Sequence, residues 1–207
     1  MDVNFNELPS KDTIETTIKS LSDNGHLPEF LESGEDALKR IKEIIPQGSS
    51  IMNGASKTLE KIGFVDYLKS GNHGWDNLHE KILSEEDPEK QAILRSRATL
   101  SEYYLGSVHA VTEDGKFLIA SNTGSQLSHI VYTSRNLIFV VGVQKIVSDI
   151  NKAFERLNEY VIPLEDKRMQ EAMGMHTYPS KILIVDKEQS FLQRKSHVLL
   201  VNESLGF

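Results

Sequence analysis

The sequence contains no cysteine. That excludes disulfides, thiolate metal sites and a cysteine nucleophile together, and it fits a cytoplasmic protein. No apolar run approaches the roughly 20 residues that a bilayer span needs. The stretch Met1 to Asn6 has neither the basic flank nor the apolar centre of a signal peptide. Neither membrane nor export is expected. Basic clusters are missing as well: 23 Lys and Arg face 30 Asp and Glu, a net charge of -7, which argues against nucleic acid as a partner. The seven histidines form no H-x-H or H-E-x-x-H pattern, so no metal site is expected, and no motif implies a cofactor. Internal repeats and low-complexity stretches are absent too.

What remains is the composition of an ordinary globular chain, 39% apolar and 26% charged over 207 residues, long enough to bury one substantial core. A single domain over 1–207 is expected. Helix spacing appears at Ser10 to Asp23 and at Glu35 to Ile45, the latter preceded by Ser33 as a cap and ended by Pro46. His26 to Glu32, with Pro28 inside it, fits only an edge strand, because proline cannot donate to a central ladder. Ser49 to Met52 reads as a strand and Ser56 to Leu68 as a helix interrupted by Gly63. The segment 69–87, with Gly71, Gly74, Trp75 and an acidic run, reads as a loop or short helical insertion. Asp87 and Pro88 then start a helix reaching about Thr99.

Tyr103 to Thr112 and Lys116 to Ser121 flank Glu113-Asp114-Gly115, a hairpin signature. Leu137 to Gly142, Lys181 to Asp186 and His197 to Asn202 are almost unbroken aliphatic runs, as expected of central parallel strands covered on both faces. Helices are expected at Ser148 to Tyr160 and Glu165 to Met173. The alternation specifies an α/β fold: three layers, a mostly parallel sheet with helices on both faces and one β-hairpin. Ligands of such folds bind over the carboxyl ends of the strands.

The turn Asn53-Gly54-Ala55-Ser56-Lys57-Thr58 joins a buried strand to a helix and is suited to an anion. Gly54 permits close backbone approach, while Ser56, Lys57 and Thr58 add donors and a positive charge. It is not a nucleotide-triphosphate loop, since Ser56 rather than glycine precedes Lys57. A second glycine turn at Gly124 and Ser125 is suited to the opposite wall, and Lys145 follows a strand where it can neutralise phosphate or carboxylate. Glu113 is the candidate acid, base or nucleophile if it is buried beside the same pocket. Each reading competes with a plain structural one: a capped turn, a solvated hairpin, an exposed lysine. His109 and His129 fit satisfied structural residues or polar members of the pocket, with the structural reading preferred.

The order of these motifs resembles the LUD domain family, the lactate-utilization group. The resemblance rests on residues 53–63 (Asn-Gly-Ala-Ser-Lys-Thr-Leu-Glu-Lys-Ile-Gly), on 110–115 (Ala-Val-Thr-Glu-Asp-Gly), on 141–147 (Val-Gly-Val-Gln-Lys-Ile-Val) and on the closing residues 198–207. It implies the fold shared by ribose-5-phosphate isomerases, glucosamine-6-phosphate deaminases and CoA transferases, with a pocket over the strand ends. The chain departs from that pattern twice. Glu113 is followed by Asp114-Gly115 instead of Thr-Gly. Leu105-Gly106-Ser107-Val108 stands where the isomerases carry Asp-Gly-Ala-Asp, which removes the carboxylates of their proton transfer.

Three functions follow as expectations. The first is a ligand-binding or accessory role in organic-acid metabolism, with a small anionic metabolite as partner. By family analogy its partners extend to iron-sulfur proteins or a second copy of the chain. The second is an enzyme acting on a phosphorylated or acyl-CoA substrate. The third is a protein-interaction module using the 69–87 segment, with Trp75 as an exposed contact.

Overall fold

A computed structural model describes residues 4–207. The first half of the chain forms α1 (Lys11–Asp23), β1 (Leu27–Leu31), α2 (Gly34–Ile44), β2 (Ser50–Asn53), α3 (Lys57–Lys61), α4 (Phe64–Lys69), β3 (Asp76–Asn77), α5 (Leu78–Leu83), α6 (Pro88–Ala98) and β4 (Tyr103–Gly106). Then come β5 (Ala110–Thr112), β6 (Phe117–Ser121), α7 (Ser125–Ser128), β7 (Asn136–Gly142), β8 (Ile146–Val147), α8 (Ile150–Arg156), α9 (Ile162–Met173), β9 (Lys181–Val185) and β10 (Lys195–Val201). Six strands, all parallel, make a large sheet in the order β1-β10-β7-β4-β2-β3. A smaller sheet follows the order β8-β5-β6-β9. The α/β fold is thus as expected.

The sequence explains the large sheet residue by residue. In β7, Leu137, Phe139 and Val141 face one apolar cluster while Ile138 and Val140 face another, and β10 splits Val198 and Leu200 from Leu199 and Val201 in the same way. Strands buried on both faces need apolar residues at every position. Under one face lie Ala37 and Ile41 of α2, Leu59 of α3 and Phe64 of α4. Over the other lie α1, through Ile14 and Leu21, and the inner face of the small sheet, through Phe117 and Ile119. That second cover is therefore largely a sheet. The helical run α8 to α9 packs on the small sheet's outer face through Ala153, Leu157 and Val161.

Several expected starts and stops are realised by side-chain bonds. Ser10, Ser33 and Asp87 cap α1, α2 and α6, accepting amide N–H bonds from residues two or three positions on. Pro28 lies on β1, an edge strand. The helix expected over Ser56 to Leu68 is instead two, because Gly63 adopts φ +76 between them. The helices expected at Ser148 to Tyr160 and Glu165 to Met173 are one run, joined by a widened π turn over Leu157–Val161. Pro163 has no N–H for the carbonyl four residues back, and the wider turn absorbs that defect.

Three expectations are corrected. Tyr103 to Thr112 is not one strand: the chain leaves the large sheet after Gly106 and joins the small one at Ala110. Lys181 to Asp186 is not central. It forms β9, antiparallel to β6 at the rim of the small sheet, with Ile182 and Ile184 nearly half exposed. An aliphatic run alone does not distinguish these two settings. Trp75 is not an exposed contact, being 7% exposed with its indole N–H donated to Ile45 O at 3.2 Å. Phe64, Tyr67 and His73 surround it, and the following β3 extends the large sheet beside β2. Among the described residues no helix is long and apolar enough to cross a membrane.

Candidate functional site

Three neighbouring parallel strands, β2, β4 and β7, end beneath one cavity of about 310 Å³. The residues just beyond their carboxyl ends, Gly54, Ser107 and Lys145, all line it. Ala55, Ser56, Lys57 and Thr58 continue the wall from β2, Ser125 and Gln126 come from the turn after β6, and Leu157, Val161, Glu165 and Arg168 come from the α8 to α9 run. Strand ends and helix faces thus meet where ligands of open α/β sheets usually bind.

Gly54 is required sterically, since a Cβ there would lie 2.6 Å from Tyr104 Oη and 3.2 Å from Gln126 Oε1. Tyr104 stacks on His129 with ring centroids 4.7 Å apart, and burial pushes its phenol pKa up. His129 Nδ1 meets Ser134 Oγ at 2.9 Å, and burial lowers its pKa to about 4. Ser56 caps α3 by accepting the Leu59 N–H at 3.3 Å. Most cavity cations are already paired. Lys57 donates to Glu60 at 2.5 Å, and Arg168 forms a fork on Glu165 at 2.7 and 2.6 Å.

Lys145 differs. It is 2% exposed, and its Nζ donates to Thr58 Oγ1 at 3.0 Å, Ser107 Oγ at 3.1 Å and Val108 O at 3.1 Å. All three acceptors are neutral. No carboxylate among the described residues reaches it within ion-pair distance. Burial, then Arg156 and Lys61, lower its pKa to about 7. Thr58 in turn donates to Leu205 O at 3.1 Å, which ties residues beyond β10 to the site. There Gly206 has φ +68, and a Cβ on it would meet Thr58 Oγ1 at 2.6 Å.

A second buried cation stands behind the wall. Arg156, 0% exposed, gives Nη1 to His109 O at 2.6 Å and places its guanidinium 5.2 Å from the Tyr160 ring centre. Its Nε and Nη2 have no partner among the described residues. His109 itself lines the cavity, and its Nδ1 accepts the Ala120 N–H at 3.1 Å. That bond assigns the ring proton to Nε2. Burial, with Lys145 and Arg156, lowers the His109 pKa to about 3, so the ring is neutral.

The structure therefore gathers Gly54, Ala55, Ser56, Lys57, Thr58, Ser125 and Lys145 around one space. Gly124 only shapes the neighbouring turn, at φ +85 with Lys181 packed on it. Glu113 is not among the lining residues. It sits in the hairpin beyond β5, with its N–H bonded to Val147 O at 2.9 Å. Among the described residues, the side-chain carboxylates that line the cavity are those of Glu60 and Glu165. Ser107, Tyr104, Glu165 and Arg168 are the additions that sequence reasoning missed. Among the described residues, histidines, aspartates and glutamates nowhere gather in threes as a metal set would.

The LUD domain profile matches residues 14–201, nearly the whole chain. The chain belongs to the LUD domain family. No curated protein matches this LUD domain. A crystal structure of a DUF162 family protein from Deinococcus radiodurans is similar in fold, with TM-score 0.56 over 94% of this chain and 98% of that one, at 10% identity. At that identity the likeness speaks of fold alone.

Proposed function

We propose that this LUD domain binds a small carboxylate- or phosphate-bearing metabolite over the ends of β2, β4 and β7, with Lys145 supplying its positive charge. The observation that carries this reading is that Lys145 has no carboxylate partner among the described residues. Lys57 and Arg168 each face a glutamate, whereas Lys145 is buried at the cavity wall with neutral acceptors only. A buried cation without a counter-ion is costly, and an anion entering the cavity relieves that cost. Membership in the LUD domain family supports a role related to lactate utilization, which makes organic acids the first ligands to examine. The site lies within a cytoplasmic protein in this reading.

Isothermal titration of the full chain with lactate, pyruvate, glycolate, inorganic phosphate and a sugar phosphate tests it. Saturable binding of at least one anion is expected, weakened on the order of tenfold or more in Lys145→Met, a loss of about 1.4 kcal/mol or more. Absence of saturable binding across the series, or equal binding by the variant, overturns the reading.

A further inference from the structure

Ser107 stands where the chain crosses from the large sheet to the small one, between Gly106 of β4 and His109 before β5. It lines the cavity, and its Oγ lies 3.1 Å from Lys145 Nζ. We propose that Ser107 and Lys145 form a nucleophile and general-base pair that hydrolyses acyl esters or thioesters, with Thr58 positioning the amine. The proposal rests on the cavity being a ligand site, and the carboxylate it releases belongs to the anion class assigned there.

Three features of the geometry carry it. A nucleophile and its base must lie within hydrogen-bond reach, with the base oriented by a third group, and 3.1 Å between Ser107 and Lys145 meets that condition: the ammonium donates to Oγ, and once the amine is neutral the same contact lets Nζ accept the Ser107 proton. Thr58 is the orienting group: its hydroxyl proton is committed to Leu205 O, so toward Nζ it acts as an acceptor at 3.0 Å. Finally, His109 lines the same cavity as a neutral ring whose Nδ1 is committed to the Ala120 N–H, which leaves Nε2–H as the donor assigned to the developing oxyanion. A lysine paired to a carboxylate stays protonated and is useless as a base, and Lys145 has no such partner among the described residues. Independently, burial beside Arg156 and Lys61 makes the amine form accessible near pH 7.

The chemistry balances with water as the second reactant. Ser107 Oγ bonds to the acyl carbon as its proton passes to Lys145 Nζ, and the carbonyl electrons move to the oxygen facing His109. Collapse expels the alcohol or thiol, which takes the proton from Lys145 and leaves an acyl-serine ester. Water then attacks, giving a proton to Lys145; Ser107 leaves and is reprotonated. The released acid ionises, and Lys145, if it takes up that proton, becomes the counter-ion of the bound carboxylate.

The full chain is treated with a fluorophosphonate ester and examined by intact mass and peptide mapping, alongside hydrolysis of p-nitrophenyl acetate and an acetyl thioester. One adduct on Ser107 is expected, absent in Ser107→Ala. In Lys145→Met both labelling and hydrolysis should fall on the order of a hundredfold, with the circular dichroism spectrum of a folded chain. The wild-type labelling rate should rise through pH about 7. Ser107→Cys supplies a second readout: its thiol should react with iodoacetamide at pH 7 faster than free cysteine, and lose that advantage when Lys145 is also replaced. An unlabelled Ser107 after exhaustive treatment, labelling that persists in Ser107→Ala, or rates indifferent to Lys145 overturns the proposal. If carboxylates still bind in that event, the binding reading stands alone; if nothing binds, both fall.

Discussion

β2, β4 and β7 build two regions of opposite character within a few residues of one another. Beneath α2, α3 and α4 they contribute Ile51, Leu105, Ile138 and Val140 to a cluster of wholly apolar, buried side chains. Just past their carboxyl ends the same strands deliver Gly54, Ser107 and Lys145 to a cavity wall backed by Arg156. The first region stabilises by removing apolar surface from water, about 1.5–3 kcal/mol for a fully buried large aliphatic side chain. The second carries two buried cations with no carboxylate partner among the described residues, which works against stability. Stability is concentrated under the sheet and spent at its ends.

This contrast can be broken or sharpened by substitution. The largest effect is expected under the sheet: Ile138→Ala should cost about 2–5 kcal/mol in urea unfolding, and a loss below 1 kcal/mol would mean the cluster is not the main support. At the cavity the sign should reverse. Lys145→Met should raise stability by about 1–3 kcal/mol at pH 7 while weakening anion binding on the order of tenfold or more. Because burial depresses the Lys145 pKa to about 7, the unfolded chain binds more protons between that pH and the ordinary lysine range. Wild-type stability from this group therefore rises with pH there, so the gap between variant and wild type should narrow from pH 7 to pH 9. A widening gap would contradict the assignment.

The buried histidines act at the other end of the scale. Burial lowers His26 and His129 to about 4 and, with Lys145 and Arg156, lowers His109 to about 3. Below the ordinary histidine pKa the unfolded chain takes up protons that the folded chain refuses. Stability should fall between pH 6.5 and 4, by about 2 kcal/mol per histidine at pH 5, as seen by urea midpoints. Gly54→Ala should cost less in stability, but it presses on Tyr104 Oη and should weaken anion binding severalfold by titration. The smallest effect is expected for Glu113→Gln, outside the cavity: within about 0.5 kcal/mol in stability and unchanged in binding.

How legible each region was follows from the kind of signal it leaves. The apolar region writes a period into the chain, so α2, β7 and β10 could be located from Ala37, Ile41 and the unbroken aliphatic runs. Caps at Ser33 and Asp87 were legible because their bonds are local. The loop from Asn53 to Thr58 and Lys145 could be singled out from residue type and position after a strand. Burial and pairing were not legible, because they are set by residues far away in sequence. Ser107 meets Lys145 across 38 positions, and Thr58 meets it across 87. Residue type and turn position single out Glu113 and leave Glu165 unmarked, and only the path of the chain after Gly106 shows that Glu113 lies outside the cavity while Glu165 lines it. For Trp75, the surrounding glycines and acidic residues suggested an exposed tip, whereas its indole found Ile45 O from α2's end.

The π turn over Leu157–Val161 also bears on how this fold can vary. An α-helix advances about 100° per residue, so one residue absorbed in a wider turn resets the phase of everything after it. In this chain that phase points Glu165 and Arg168 at the cavity. Removing a single residue from the turn would swing the pair about a quarter of the way round the helix axis and present another set of side chains to the ligand. Among the described residues the large sheet does not join the cluster around this turn, whereas the small sheet packs on Leu157 and Val161 and would have to accommodate the change. The turn is thus a dial for the rim of the cavity, and its setting is coupled to the packing of the small sheet.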